Sequence, residues 1–245
     1  MNISWASFKS GNFLHEDVLH IWNFKAIKDE PKLHILSKTL SADEHLRASK
    51  YRFEKDRAVY ITARYLLRTL ISSYLEINPK EIVFDYSEYD KPTYLGNIEL
   101  DFNVSHSGNR IIIGLAKQQI IGVDIEKIKN DFNPIELANN VFSNDEINAL
   151  SEYNGEELYR AFYRGWTRKE SFIKAVGEGL SYPLKSFSVT IDNDETASFL
   201  SINNENESNQ SWHLHSFIPS EGFIAAITTK GNPKKIEFFD ANNLF

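Results

Sequence analysis

The chain has 245 residues, of which 42% are hydrophobic and 25% charged, a composition typical of a globular protein with a substantial core. A formal net charge of −7 argues against general nucleic-acid binding, and the lack of cysteine excludes disulfides, thiolate catalysis and cysteine zinc sites. No leader pattern and no run of about 20 apolar residues occurs, so we predict a cytoplasmic protein that binds neither nucleic acid nor membrane.

The first part of the chain is predicted to form a long helix, a strand and a hairpin. Apolar residues recur at helical spacing over 56–75, and a strand-like segment follows at 81–86. The segment 102–117 then has the pattern strand, turn, apolar strand. Basic residues are frequent before and within the helix, where they are either solvated or available to a phosphate.

The same order returns in the second part of the chain. A helical pattern covers 156–176, an alternating strand follows at 187–191, and a second strand–turn–strand segment covers 212–229. This repeat predicts an α/β (α+β) fold of two similar units related by a pseudo-two-fold axis, residues 1–118 and 119–245, with a ligand cleft between them. The alternative is a chance recurrence within an ordinary α+β protein.

The segment FNVSHSGN at 102–109 places Ser105 and His106 at the end of a strand, before a tight turn. His106 either hydrogen-bonds a phosphate oxygen or satisfies the turn, and the sequence leaves both interpretations open. Serine-hydrolase chemistry is disfavoured because no G-x-S-x-G turn accompanies the serine.

The segment IGVDIE at 121–126 reads as a strand with two carboxylates on one face. Asp124 and Glu126 stand two residues apart, so their side chains leave the same face about 6.6 Å apart. Gly122 permits close backbone approach beside them. A half-exposed strand is the alternative, but the pair would suit a divalent cation that a third carboxylate helps to bind.

That third carboxylate occurs in WTRKESFIK at 166–174. Glu170 and Lys174 are four residues apart in a helical pattern and share one face, with Lys169 adjacent. A surface ion pair worth about 0.2–0.5 kcal/mol is the alternative. Together with IGVDIE, however, the segment offers three oxygen ligands and two cations, which suits a Mg²⁺-bound diphosphate.

These three segments, with the upstream basic segment that ends in ARYLLR and the YDKP turn at 89–92, resemble the 4′-phosphopantetheinyl transferase family. The resemblance is to its surfactin-synthetase-activating (Sfp-like) branch and extends over roughly residues 45 to 190. It implies a pseudo-two-fold monomer that transfers the phosphopantetheine arm of coenzyme A to a serine of an apo acyl or peptidyl carrier protein and releases 3′,5′-ADP.

The resemblance also implies the roles of individual residues. Asp124, Glu126 and Glu170 would hold Mg²⁺, or alternatively Mn²⁺, on the diphosphate. Glu170 would take the proton of the carrier serine, and Lys174 would stabilise the leaving phosphate, so that Asp124, Glu170 and Lys174 form the catalytic set. The predicted coenzyme A contacts are Lys91, Ser105, His106, Lys169 and Lys174, with Arg47 and Arg64 ranked first for the 3′-phosphate.

Two other functions remain compatible with the residues alone. One is a Mg²⁺-dependent phosphohydrolase that acts on a nucleotide diphosphate with water as the acceptor. The other is a noncatalytic coenzyme A binding module, although binding alone would need neither a base nor a cation at the leaving group.

Overall fold

The computed structural model describes residues 3–7, 14–89, 91–96, 100–203 and 211–244. Its helices are α1 Glu30–Ser37, α2 Ala42–Ser49, α3 Glu54–Leu75, α4 Pro134–Val141, α5 Asn144–Leu150 and α6 Gly155–Val176. Its strands are β1 Ala6–Ser7, β2 Val18–Lys25, β3 Phe84–Tyr86, β4 Pro92–Tyr94, β5 Leu100–Ser107, β6 Arg110–Lys117, β7 Ile121–Lys127, β8 Phe187–Val189, β9 Phe199–Ile202, β10 Trp212–Phe217, β11 Phe223–Lys230 and β12 Lys235–Asp240. None of the helices in the described ranges is long and apolar enough to cross a bilayer.

Two sheets lie face to face between the two long helices. The first sheet has the strand order β1-β12-β2-β6-β5 and the second has the order β10-β11-β7. Alternate residues of each strand point to opposite faces, so one face of each sheet forms a shared core, which includes Leu19, Ile112, Val123 and Ala225. Helix α3 covers the outer face of the first sheet, and α6 covers that of the second.

The predicted mixed α/β fold of two similar units is confirmed. The order β2-β6-β5 in the first sheet matches β7-β11-β10 in the second, and α3 and α6 are each followed by a short two-stranded sheet, β3-β4 and β8-β9. The division at residues 118 and 119 stays a prediction. The last strand, β12, pairs with β2 in the first sheet, so the C-terminal segment returns to the first unit.

Each unit also contains a buried glutamate that ties a short helix to the long helix. Glu44 of α2 accepts the backbone N–H of Ser41 at 2.9 Å and binds Arg64 and Arg68 of α3 at 2.5 and 2.7 Å. Burial alone would raise the pKa of Glu44, but the two guanidinium groups outweigh it, and the pKa is lowered.

In the second unit, Glu146 of α5 takes the corresponding place. It accepts the backbone N–H of Ser143 at 2.7 Å and binds Lys169 of α6 at 2.9 Å. The pKa of Glu146 is raised because burial outweighs the single ammonium that faces it. The Lys169–Glu146 ion pair therefore links α6 to α5, and this link requires both side chains to be charged.

Helix α6 lies directly on β7 at Gly122. A Cβ atom at this position would overlap the carbonyl oxygen of Ser171 and the backbone nitrogen of Ala175, which are backbone atoms that cannot turn aside. Glycine is therefore required for this close approach, as the sequence indicated. The helix ends at Gly177, whose φ of 91° closes it in the left-handed conformation that glycine adopts without steric cost.

We predict that Gly122→Ala is destabilised by about 1–3 kcal/mol or more, because the added methyl group separates α6 from β7. Urea denaturation measures the loss. Asn139→Ala, at an exposed position of α4, is the control and should change the stability by no more than about 0.5 kcal/mol. A Gly122 variant as stable as the native chain would contradict the close contact.

Candidate active site

The close approach of α6 to β7 brings a lysine, an aspartate and a serine together. Lys174 Nζ lies 2.6 Å from Asp124 Oδ1 and 3.0 Å from Ser105 Oγ, and Ser105 Oγ donates to the same Asp124 oxygen at 2.8 Å. Asp124 is 3% exposed. Three separate elements, β5, β7 and α6, therefore meet at one buried carboxylate.

Two further carboxylates face this cluster. Glu126 of β7 accepts the hydroxyl of Ser107 at 2.7 Å, and burial together with the nearby charge of Asp124 raises its pKa. For Glu170 of α6, burial and the negative charges of Asp124 and Glu126 raise the pKa to about 7, and Lys174 offsets only part of this effect. The arrangement holds more negative charge than one lysine neutralises, which is typical of functional sites.

Two carboxylate oxygens in the cluster are buried and have no hydrogen-bond partner, Asp124 Oδ2 and Glu170 Oε1. Such atoms are costly unless a cation or donor faces them. Across the described ranges, no three acidic or histidine side chains form a finished metal site. The donor set nonetheless fits Mg²⁺, which takes a few carboxylates and completes its coordination with water and phosphate oxygens.

A cavity of about 260 Å³ adjoins the cluster and is lined by both units. Lys91 and Asn103 come from the first unit, and Glu170, Lys174 and Gly177 come from the second. Lys91 Nζ donates to the carbonyl oxygen of Ala175 at 3.1 Å, and burial lowers its pKa. The predicted cleft between the units therefore has a counterpart in the structure, with Lys91 in its wall.

A larger cavity of about 890 Å³ lies beside His106 and Ser107. Four lysines from different parts of the chain line it, namely Lys28, Lys55, Lys127 and Lys129. Two of its acidic residues, Glu30 and Glu54, are bound by Arg57 at 3.3 and 2.7 Å. This cavity therefore suits an anion with several oxygens.

Two of the predicted coenzyme A contacts, Lys169 and Arg64, lie away from both cavities, and their predicted roles stay predictions. Lys169 is 0% exposed, and its Nζ binds Glu146 and the carbonyl oxygens of Leu184 and Phe187. Arg64 is 8% exposed and binds Glu44. Both side chains are committed to buried ion pairs and line neither cavity.

Two more of the predicted contacts, Ser105 and Arg47, differ in exposure: Ser105 is buried and Arg47 is exposed. The Ser105 hydroxyl donates to Asp124 and accepts from Lys174 and the Ile125 N–H, which uses its whole hydrogen-bonding capacity. A phosphate contact through this hydroxyl would replace one of these bonds, and it stays a prediction. Arg47 is exposed on α2 and lines neither cavity, so its predicted contact stays a prediction.

The sequence interpretation missed Ser107 and the four lysines of the larger cavity. Ser107 follows Ser105 by two residues on one strand, so the alternation could have indicated that both face the carboxylate pair. Lys28 and Lys129 lie in loops, Lys55 lies on α3 and Lys127 on β7, so only the fold brings these three segments of the chain together.

Two sequence-family models match the chain. One, described as "4'-phosphopantetheinyl transferase, N-terminal", matches residues 27–118, and another, described as "4'-phosphopantetheinyl transferase superfamily", matches residues 120–228. The two matches together cover both units and every residue of the cluster.

Several named proteins are similar to the chain. The 4'-phosphopantetheinyl transferase HetI of Nostoc sp. is 28% identical over 89% of this chain and 90% of its own length. The 4'-phosphopantetheinyl transferases ffp and Sfp of Bacillus subtilis are 38% and 36% identical, over 63% of this chain and 68% of each relative. A holo-(acyl-carrier-protein) synthase from Bacillus anthracis, solved in complex with coenzyme A, is 22% identical and covers 44% of this chain and 92% of its own, with a TM-score of 0.33.

The raised pKa of Glu170 predicts a pH-dependent stability in the metal-free protein. The carboxyl releases its proton near pH 4.5 when unfolded but near pH 7 when folded, so its contribution to stability is lost as pH rises through this window. We expect Glu170→Gln to gain about 2 kcal/mol over the native chain between pH 4.5 and pH 8. Urea denaturation in EDTA measures the difference. Glu156→Gln, an exposed change on the same helix, should show no such trend.

Loss of the buried Lys169–Glu146 ion pair should lower the stability of the folded protein. Lys169→Met leaves Glu146 buried without a cation and should cost about 3–5 kcal/mol of stability. Adding Glu146→Gln should recover part of this loss, because no buried charge then lacks a partner. Thermal denaturation of the two single variants and the double variant measures the coupling. Strictly additive losses would contradict the pairing.

Proposed function

Because the chain belongs to the 4′-phosphopantetheinyl transferase family, we propose that it transfers the phosphopantetheine arm of coenzyme A to a serine of an apo acyl or peptidyl carrier protein. The released product is 3′,5′-ADP, and the reaction depends on a divalent cation, Mg²⁺ or Mn²⁺. Membership of this family identifies the chain as a 4′-phosphopantetheinyl transferase. The carrier, the cation and the residue roles are our proposal.

The observation that carries the proposal is the pair of buried carboxylate oxygens without a partner, Asp124 Oδ2 and Glu170 Oε1. Glu170 and Lys174 also line the cleft between the units. Asp124, Glu126 and Glu170 are the side chains that would hold the cation. When bound, it would offset the negative charge of the diphosphate and of the three carboxylates.

The residues of the chain then divide the reaction between them. The serine oxygen of the carrier forms a bond to the β-phosphorus of coenzyme A, while the bond from that phosphorus to the bridging oxygen breaks. The electron pair of the broken bond leaves with the α-phosphate of 3′,5′-ADP. Glu170 lines the cleft and would take the serine proton, either directly or through a water that it holds. Lys174 faces the cleft and stabilises the charge on the leaving phosphate.

The two cavities support a division of coenzyme A around this cluster. We assign the 3′-phosphate to the larger cavity, where His106 and the lysines at 28, 55, 127 and 129 supply donors. We assign the smaller cavity, with Lys91 in its wall, to another part of the nucleotide. Since both units of one chain line the smaller cavity, we propose that the monomer is active. The cytoplasmic location stays a prediction.

The test is intact mass of an apo carrier protein after incubation with the enzyme, coenzyme A and Mg²⁺. We expect a gain of one phosphopantetheine group, abolished by EDTA. Asp124→Asn and Glu170→Gln should each slow the transfer by roughly 10²-fold or more, because each removes a ligand oxygen or the base. Glu156→Gln is the matched control and should keep the native rate.

Three results would contradict the proposal. Undiminished transfer by Asp124→Asn would remove this aspartate from the reaction. Release of free phosphopantetheine without carrier modification would identify water as the acceptor and favour the phosphohydrolase. Coenzyme A binding without either product would favour the noncatalytic module.

A further inference from the structure

Strand β5 contacts β7 through side chains instead of backbone pairing. Each strand is at an edge of its sheet, since β5 pairs with β6 and β7 pairs with β11. Three alternate side chains of β5 accept three alternate backbone N–H groups of β7: Asn103 from Val123 at 2.9 Å, Ser105 from Ile125 at 3.3 Å, and Ser107 from Lys127 at 3.0 Å. We call these three side chains the β5 polar ladder.

The two serines of the ladder make a second bond that the asparagine does not. Ser105 donates to Asp124 Oδ1 at 2.8 Å, and Ser107 donates to Glu126 Oε2 at 2.7 Å. A hydroxyl has only one hydrogen to donate. Each serine hydroxyl accepts from a backbone N–H of β7 and donates its hydrogen to the carboxylate of the residue just before that N–H, which fixes its orientation. The same arrangement of serine, backbone N–H and carboxylate therefore occurs twice, two residues apart along β5.

Satisfying the three backbone N–H groups of β7 requires only acceptors, and asparagine supplies one at position 103. The donated bonds of the serines have a different effect, because each occupies one oxygen of a carboxylate and fixes its orientation. In Asp124 the other oxygen is left buried without a partner, as is Oε1 of Glu170. Outer groups that orient ligand carboxylates in this way commonly change metal affinity about 10–100-fold when removed.

We propose that Ser105 and Ser107 are positioning residues that orient Asp124 and Glu126 toward the divalent cation. The proposal rests on the proposed function, since it concerns the same carboxylates. It adds Ser107 to the site and gives Ser105 a role through its bond to the carboxylate.

Ser107 offers the cleaner test of the two serines. Ser105 also accepts from Lys174, so its removal would alter a second proposed catalytic group. The described contacts of the Ser107 hydroxyl are with Glu126 and the backbone of residue 127. Ser107→Ala removes the donor to Glu126, whereas Ser107→Thr keeps a hydroxyl.

The experiment is a titration of the full chain with Mn²⁺, followed by electron paramagnetic resonance of the free ion, with and without saturating coenzyme A. We expect Ser107→Ala to weaken Mn²⁺ binding about 10-fold and Ser107→Thr to restore most of the affinity. Ser72→Ala is the control. Its hydroxyl donates to the carbonyl oxygen of Ile77 at 2.6 Å and lines neither cavity, so its loss should lower the melting temperature and leave Mn²⁺ affinity unchanged.

The outcomes separate the two proposals. Unchanged Mn²⁺ affinity in Ser107→Ala, equal losses in Ser107→Ala and Ser72→Ala, failure of threonine to rescue, or no Mn²⁺ binding by the native chain would each overturn the positioning role. If the native chain and variants bind Mn²⁺ as expected but no carrier protein gains mass, the positioning role stands and the transferase assignment fails.

Discussion

The contact between α6 and β7 at Gly122 is the constraint on which the site depends. A strand and a helix normally keep side chains between them, but here the helix backbone lies against the strand backbone. Asp124 is two residues along the strand, and Lys174 precedes the contacting Ala175, so the same contact brings their charged groups to 2.6 Å. Because β5 lies along the other edge of β7, its serines reach the same carboxylates.

This geometry stabilises a site that is unfavourable by itself. Three carboxylates share one neighbouring lysine, two of their oxygens have no partner, and the pKa of Glu170 is raised to about 7. The opposite is found at Glu44, where two arginines neutralise one buried glutamate and lower its pKa. The buried pairs therefore connect the helices, while the uncompensated charge is concentrated where a cation and a diphosphate would relieve it.

The grouping of the three carboxylates could be predicted from the sequence, because strand and helix periodicity determine which side chains share a face. Asp124 with Glu126, and Glu170 with Lys174, follow from spacings of two and four residues. The glycine at 122 was predictable for the same reason. Periodicity does not identify what faces a side chain across the fold, so Lys169 and Arg64 were assigned to coenzyme A although each faces a buried glutamate. The return of β12 to the first sheet was likewise not indicated by any local pattern.

The central claim is that Asp124, Glu126 and Glu170 hold a divalent cation on the diphosphate of coenzyme A. A crystal structure of the protein with Mn²⁺ and coenzyme A, recorded at a wavelength where manganese scatters anomalously, tests it most directly. The account predicts an anomalous peak within ligand distance of these carboxylates and of the diphosphate oxygens, with Lys174 beside the α-phosphate. Bound coenzyme A with its diphosphate elsewhere, or a manganese peak away from the three carboxylates, would contradict it.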